Sequence, residues 1–151
     1  TSSSSSILGL HGTFSYQQDP TLFMLELKAI AAVQKLGLPN IHVMLPFVRT
    51  VEEFQFCYQI IKQAGLTRQQ GFQVWIMAEV PSVLLLLPDY VKAGVQGISI
   101  GTNDLTQLLL GIDRDHSQLS SVFEERHPAV KRAIAQLIRQ AHETGIPCAI
   151  C

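Results

Sequence analysis

Hydrophobic residues follow two alternating patterns along this chain, short uninterrupted apolar runs and longer stretches with helical spacing. The short runs predict strands at residues 41–47, 72–78, 97–100 and 147–151. The longer stretches predict helices at residues 21–36, 51–64, 82–90, 103–110 and 127–144. Pro88 is expected to interrupt the helix or turn at 82–90, because proline removes a backbone donor from a helix.

Local signals mark the ends of several of these helices. Thr50 and Glu53 have the spacing of a capping box at the start of the second helix. Pro128 suits the first turn of the last helix, and Gly37 and Gly145 stand where the first and last helices should end. The helical predictions therefore do not depend on hydrophobic spacing alone.

Apolar strands that alternate with helices are typical of a parallel sheet covered on both faces. The four predicted strands are half the number in a (β/α)8 barrel of about 250 residues. We therefore predict the α/β class and part of a TIM-type barrel, with about four parallel strands and intervening helices. Residues 1–6 are interpreted as a serine-rich linker or degraded start, and residues 7–151 as the barrel part.

Composition narrows the possible functions. Charged residues make up 15% of the chain, against about 25% in a typical soluble domain, which indicates extensive burial or a covered face. The net charge of −1 argues against nucleic-acid binding. Three cysteines without zinc-site spacing favour a reducing, cytoplasmic location. The stretch with the fewest charges, residues 69–88, contains two prolines and Glu79, so we expect no membrane span.

Polar residues follow the predicted strands at their carboxyl ends, where parallel α/β folds place their active sites. Glu79 needs a metal or a basic partner if it is buried, or it forms a salt bridge or caps the next segment. Asp104 follows Gly101, Thr102 and Asn103, and the turn is either a plain helix cap or a ligand-binding turn. Together, Glu79 and Asp104 make a Mg²⁺ site plausible.

Other candidate residues allow two interpretations each. Arg114, within the cluster Asp113-Arg114-Asp115, and Arg49 could each hold a phosphate or carboxylate, or take part in surface ion pairs. Cys148 and Cys151 have CxxC spacing on a strand-like segment, for which inert thiols are the default interpretation.

Several strings together resemble the carboxyl-terminal barrel of the phosphoenolpyruvate-utilising enzymes. The resemblance covers nearly the whole chain, from about residue 8 to residue 151, in the order typical of the family. ISIGTNDLTQ is highly specific, and PFVRT with LGIDRD is closest to the synthase branch, the pyruvate, water dikinases. The strings lie at residues 44–53 (MLPFVRTVEE), 77–82 (MAEVPS), 98–107 (ISIGTNDLTQ), 110–115 (LGIDRD), 123–126 (FEER) and 149–151 (AIC).

The resemblance implies roles for individual residues. Glu79 and Asp104 match the ligands of a Mg²⁺ cofactor, and Cys151 matches a cysteine that exchanges a proton with the methyl or methylene carbon. The resemblance further implies that a phosphoryl group is exchanged between pyruvate and a phosphohistidine on another domain, and that ATP phosphorylates this histidine in the synthase direction. The expected substrate-binding residues are Asn103, Arg114, Arg49, Thr102 and Gly101.

The resemblance also implies partners: pyruvate or phosphoenolpyruvate, the phosphohistidine domain of the parent chain, and a second copy in a homodimer through the barrel. His11 stands where the family has a phosphate-binding arginine, and Ser5 and Ser6 replace its Asn-Pro. Three alternatives stay open: the barrel of a pyruvate phosphate dikinase, that of phosphotransferase-system enzyme I, and an inactive remnant that only binds or assembles. We expect the 151 residues alone to be inactive, since no phosphohistidine or nucleotide site is recognisable.

Overall fold

A computed structural model of the protein describes residues 7–38, 40–113 and 124–151, and in this part of the chain four parallel strands form one sheet. The strands are paired in chain order, so each strand lies beside the one that follows it. They are β1 (Val43–Leu45), β2 (Val74–Ala78), β3 (Ile98–Ile100) and β4 (Cys148–Ile150).

Helices connect the strands, as parallel pairing requires. A 3-10 turn, Leu66–Arg68, follows the third helix. In chain order the helices are α1 (Thr13–Gln18), α2 (Thr21–Lys35), α3 (Val51–Gln63), α4 (Val83–Ala93), α5 (Thr102–Leu110) and α6 (Pro128–Thr144).

The predicted α/β class and the four parallel strands are confirmed. The sheet is open within the described residues, as expected for part of a barrel. β3 lies between two other strands and all its residues are buried, whereas Ile150 on edge strand β4 is 58% exposed. Met44, on the opposite edge strand β1, is 48% exposed. The apolar core lies between the helices and the inner strands, with Phe54, Ile76 and Leu137 buried in it.

The predicted break at Pro88 is wrong, because α4 continues through this proline to Ala93. Proline cannot donate the helical hydrogen bond to the carbonyl group four residues earlier, which is that of Leu84. Two side chains of α6 donate to this oxygen instead, Gln136 at 2.7 Å and Gln140 at 3.1 Å. Packing against α6 thus supplies the donors that the proline removes.

The predicted start of α3 is confirmed. Thr50 caps the helix, its hydroxyl oxygen accepting a hydrogen bond from the Glu53 amide at 3.2 Å. The Glu53 carboxylate does not accept the Thr50 amide, as it would in a full capping box. It accepts a hydrogen bond of 2.6 Å from the Thr13 hydroxyl at the start of α1 instead. Helix α1, which hydrophobic spacing did not predict, is thereby attached to α3.

In the described parts of the chain, every helix is too short or too polar to cross a membrane.

Candidate functional site

The sequence candidates within the described residues meet at one edge of the sheet, because all four strands run in the same direction. Arg49 follows β1, Glu79 follows β2, Asp104 lies in the first turn of α5 after β3, and Cys151 follows β4. Since β2 and β3 are paired, the segments that carry Glu79 and Asp104 leave adjacent strand ends. Parallel pairing alone thus places the two carboxylates at neighbouring positions.

Glu79 is buried, with 7% of its surface exposed. Its Oε1 accepts a hydrogen bond of 2.8 Å from the backbone amide of Phe47. Burial raises the pKa of the Glu79 carboxyl group, the Phe47 amide lowers it, and the nearby charge of Asp104 raises it again. A bound cation would offset the negative charge of Asp104 that acts on Glu79.

The donor set fits a small hard cation such as Mg²⁺. Asp104 Oδ1 accepts a hydrogen bond of 3.2 Å from the side-chain amide of Gln107, and an oxygen of each carboxylate remains for a metal. The described residues contain no cluster of three or more His, Cys, Asp or Glu side chains that could enclose an ion. Mg²⁺ suits such a site, since it is commonly held by one or two carboxylates together with substrate oxygens and water.

The turn from β3 to α5 lies directly against Glu79. Gly101 is buried, and a side chain at this position would collide with Oε2 of Glu79. Asn103, two positions after Gly101, is exposed in the first turn of α5. The backbone amides at such a helix start favour a bound anion, so the turn can face a phosphate or carboxylate group beside the two acids.

Cys151 is exposed and lies beside this turn. Its backbone amide donates to the Ile100 carbonyl oxygen at 3.0 Å, and its carbonyl oxygen accepts from the Thr102 hydroxyl at 3.3 Å. Cys148 is half-buried at the start of β4, and burial raises the pKa of its thiol. The two cysteines therefore occupy different environments, and only Cys151 stands at the edge that carries the acids.

The guanidinium group of Arg49 contacts the backbone of the amino-terminal segment. Its two terminal nitrogens donate to the carbonyl oxygens of Gly9 at 2.8 Å and His11 at 3.0 Å. The guanidinium carbon also lies 4.7 Å from the ring centroid of Phe47 and 5.8 Å from that of Phe14. Two of the five N–H donors of this predicted substrate-binding residue are thus used within the protein.

His11 is brought to the same edge, and its ring centroid lies 4.1 Å from that of Phe47. Burial and the positive charge of Arg49 lower the pKa of His11, while the negative charge of Asp104 raises it. The imidazole is therefore mainly neutral at neutral pH and lacks the permanent charge of an arginine.

Phe47 is the residue at this edge that sequence reasoning missed. It is buried and has a φ of 48°, the left-handed region that a bulky side chain rarely adopts. A phenylalanine at the end of an apolar run carries no signal of this conformation, which only tertiary contacts reveal. The predicted phosphate-binding residue Arg114 lies outside the described residues, and residues 1–6 do as well.

Comparison with known proteins agrees with this architecture, an open parallel α/β sheet of barrel type with acids at its carboxyl edge. Residues 3–151 match the family model described as "PEP-utilising enzyme, PEP-binding domain". The chain therefore belongs to the phosphoenolpyruvate-utilising enzyme family, and nearly all of it matches the phosphoenolpyruvate-binding domain of that family.

Curated relatives point to one branch of this family. The chain is 48% identical over 132 residues to a protein of Aeropyrum pernix named phosphoenolpyruvate synthase, covering 85% of this chain and 16% of that protein. It is 44% identical over 149 residues to the phosphoenolpyruvate synthase of Aquifex aeolicus, covering 96% of this chain and 17% of the relative. The corresponding enzyme of Escherichia coli is 38% identical over 149 residues, with 96% and 19% covered. The chain thus spans less than a fifth of the length of these relatives.

Proposed function

We propose that this chain forms part of the Mg²⁺-dependent pyruvate and phosphoenolpyruvate site of a phosphoenolpyruvate synthase, a phosphotransferase of the pyruvate, water dikinase type. The observation that carries the proposal is the position of Glu79 and Asp104 after the adjacent strands β2 and β3. The relatives' shared name supports the synthase rather than the dikinase or the phosphotransferase-system enzyme.

In this proposal, Glu79 and Asp104 hold Mg²⁺, which when bound supplies positive charge to the substrate's enolate and phosphoryl oxygens. Asn103 and the backbone amides of the first turn of α5 orient the anionic substrate. Gly101 keeps the turn close to Glu79, and Thr102 holds the carbonyl group of Cys151. The Cys151 thiol transfers a proton to or from the substrate carbon.

The phosphoryl group would come from a phosphohistidine on another domain of the full-length protein. Arg114 would contribute a second cation to the phosphate, as its place in the LGIDRD string implies. We also propose that ATP phosphorylates the histidine, that the enzyme acts in the cytoplasm in gluconeogenesis, and that two copies associate through the barrel.

Glu79→Gln and Asp104→Asn in the full-length protein test the site. Each should lower pyruvate-dependent phosphoenolpyruvate formation by at least about 100-fold, while ATP still phosphorylates the mobile histidine. Mn²⁺ binding followed by electron paramagnetic resonance should weaken in both variants. Glu143→Gln on the exposed face of α6 is the matched control. Unchanged Mn²⁺ affinity in both site variants would refute the metal assignment.

One observation supports the alternative of a domain that binds without catalysing the reaction. The lowered pKa of His11 leaves this position mainly neutral where the family's arginine is always charged. His11→Arg in the full-length protein separates the two functions. A large gain in activity from an inactive parent would support the binding-only domain, whereas an active parent would contradict it.

A further inference from the structure

Residues 9–13 are attached, at both of their ends, to the residues that follow β1 at the carboxyl edge of the sheet. Arg49 donates to the carbonyl oxygens of Gly9 and His11, and the Thr13 hydroxyl donates to the buried Glu53 carboxylate. Arg49 is itself held in place, because its carbonyl oxygen accepts a hydrogen bond of 2.7 Å from the Ser82 hydroxyl. The side chains of Arg49 and Glu53 thus hold this short segment, and Ser82 in turn holds the backbone of Arg49.

Phe47 lies between residues 9–13 and Glu79. At Gly12, whose φ is 64°, a Cβ atom would lie 2.6 Å from the Cβ of Phe47 and 2.8 Å from its carbonyl oxygen. The Thr13 hydroxyl lies 3.4 Å from the same oxygen, and the His11 ring packs on the Phe47 ring. On its other side, the Phe47 amide donates to Glu79 Oε1. The segment therefore contacts the ring, the Cβ and the carbonyl oxygen of a residue whose amide orients a candidate metal ligand.

The backbone of Phe47 requires this support. A φ of 48° in a bulky residue is unfavourable and persists only where the surrounding structure enforces it. In this conformation the Phe47 amide meets Glu79 Oε1, and Oε2 is left beside Gly101. If residues 9–13 moved away, Phe47 would be free to relax to an ordinary φ, and its amide would no longer meet Glu79.

We propose that Arg49 is a positioning residue. Its guanidinium group fastens residues 9–13 onto Phe47, and Phe47 in turn orients Glu79. We use the name "Arg49 latch" for Arg49, residues 9–13 and Phe47 together. The existence of the latch does not depend on the proposed function, whereas its effect on Mg²⁺ affinity rests on it. In the other role open to Arg49, a direct contact with the substrate, the three N–H donors that do not bind backbone carbonyl groups would have to serve.

Hydrogen exchange in the full-length protein tests the latch without reference to activity. Arg49→Met removes both hydrogen bonds, and Arg49→Lys keeps the charge but loses the planar pair of donors. In both variants the amides of residues 7–15 should exchange about tenfold faster or more, because the segment opens locally. Arg68→Met, at an exposed arginine of the 3-10 turn, is the matched control and should change nothing at residues 7–15.

Hydrogen exchange at residues 98–107 reports whether the sheet is intact. If Arg49→Met unfolds the sheet, the test of the latch rests on Arg49→Lys. The expected result is faster exchange at residues 7–15 with residues 98–107 unchanged. Unchanged exchange at residues 7–15 in a folded variant overturns the latch.

The Mg²⁺ requirement separates positioning from substrate contact. If Arg49 acts through Glu79, both variants should need about tenfold more Mg²⁺ for half-saturation, because Glu79 is no longer oriented for the metal. Saturating Mg²⁺ should then restore most of kcat. A substrate contact would instead raise the KM for pyruvate in Arg49→Met at saturating Mg²⁺, with rescue by Arg49→Lys, and this result overturns the positioning role. Faster exchange with an unchanged Mg²⁺ requirement overturns the link to Glu79. If the parent enzyme shows no Mg²⁺ dependence, the proposed function fails, while hydrogen exchange still decides the latch.

Discussion

The side-chain amide of Gln136 donates a hydrogen bond of 2.7 Å to the carbonyl oxygen of Leu84, on a different helix and 52 positions away in the sequence. In a regular helix the amide of residue 88 would donate to this carbonyl oxygen, but Pro88 has no amide N–H. Gln140 donates to the same oxygen, so one proline in α4 and two glutamines of α6 act as a unit. This relationship couples the two helices more specifically than apolar packing does.

Replacing both glutamines by alanine should therefore destabilise α4 by about 1 kcal/mol, because the partly buried carbonyl group of Leu84 loses both of its donors. The change is measured from hydrogen exchange of the α4 amides in the full-length protein. In a Pro88→Ala background the cost should be smaller, because the alanine amide can donate to Leu84. Gln55→Ala, at an exposed position of α3, is the control. Equal costs in both backgrounds would contradict the coupling.

Gly101→Ala should weaken Mg²⁺ binding by about 10–100-fold, as expected when a group that orients a metal ligand is disturbed. The added methyl group would collide with Glu79 Oε2 at the end of the adjacent strand. Calorimetric titration of the full-length protein with Mg²⁺ measures the effect. Combining Gly101→Ala with Glu79→Asp should recover part of the affinity, because the shorter carboxylate withdraws from the methyl group. Full affinity in the single variant would show that the turn tolerates a side chain.

The stability of the metal-free protein should depend on the ionisation of Glu79. Because burial raises its pKa in the folded state, the protonated carboxyl group stabilises the fold below the ordinary value of about 4.3, and this contribution is lost as pH rises through the raised folded-state pKa. Melting temperatures measured from pH 4 upwards without Mg²⁺ should fall more steeply for the parent than for Glu79→Gln. Mg²⁺ should reverse the loss only in the parent. Parallel profiles would mean that Glu79 ionises without cost.

Cys151→Ala should abolish phosphoenolpyruvate formation by the full-length protein while ATP still phosphorylates the mobile histidine. The reason is that the thiol serves only the proton transfer at carbon in the proposed mechanism. Cys148→Ala is the matched control, and its effect should be mild, because this thiol is half-buried on β4. A radioactive phosphoryl group from ATP distinguishes the two steps. Equal losses in both variants would indicate that the cysteine pair acts as one structural or redox unit.

The three thiols should differ in reactivity. Cys57 is fully buried on α3, and burial, with a smaller contribution from the Glu53 charge, raises its pKa to about 12. It should therefore remain unmodified by a maleimide at pH 8, whereas exposed Cys151 reacts first and half-buried Cys148 more slowly. Mass spectrometry of digested protein measures the order. Early modification of Cys57 would show that α3 opens readily.

Local patterns in the sequence were sufficient for the fold class. Continuous apolar runs that alternate with helical stretches can bury both faces only in a parallel sheet, and the four strands lie where these runs are. The Thr50 cap was predictable for the same reason, since a cap depends on residues three positions apart. The sequence pattern placed Glu79 and Asp104 after two consecutive strands, and the strand order of the sheet makes the ends of these strands adjacent.

Only the tertiary structure decided how α4 passes Pro88, how Phe47 holds its left-handed backbone, and where Arg49 directs its guanidinium group. Each depends on partners 32 or more positions away, such as Gln136 for Leu84 and Glu79 for Phe47. Hydrophobic periodicity reports which face of an element is buried, and it contains no information about which distant polar group will meet a freed carbonyl or a strained amide. The sequence by itself therefore determined the strands, the helices and the acids at the sheet edge, whereas long-range packing determined how these acids are oriented.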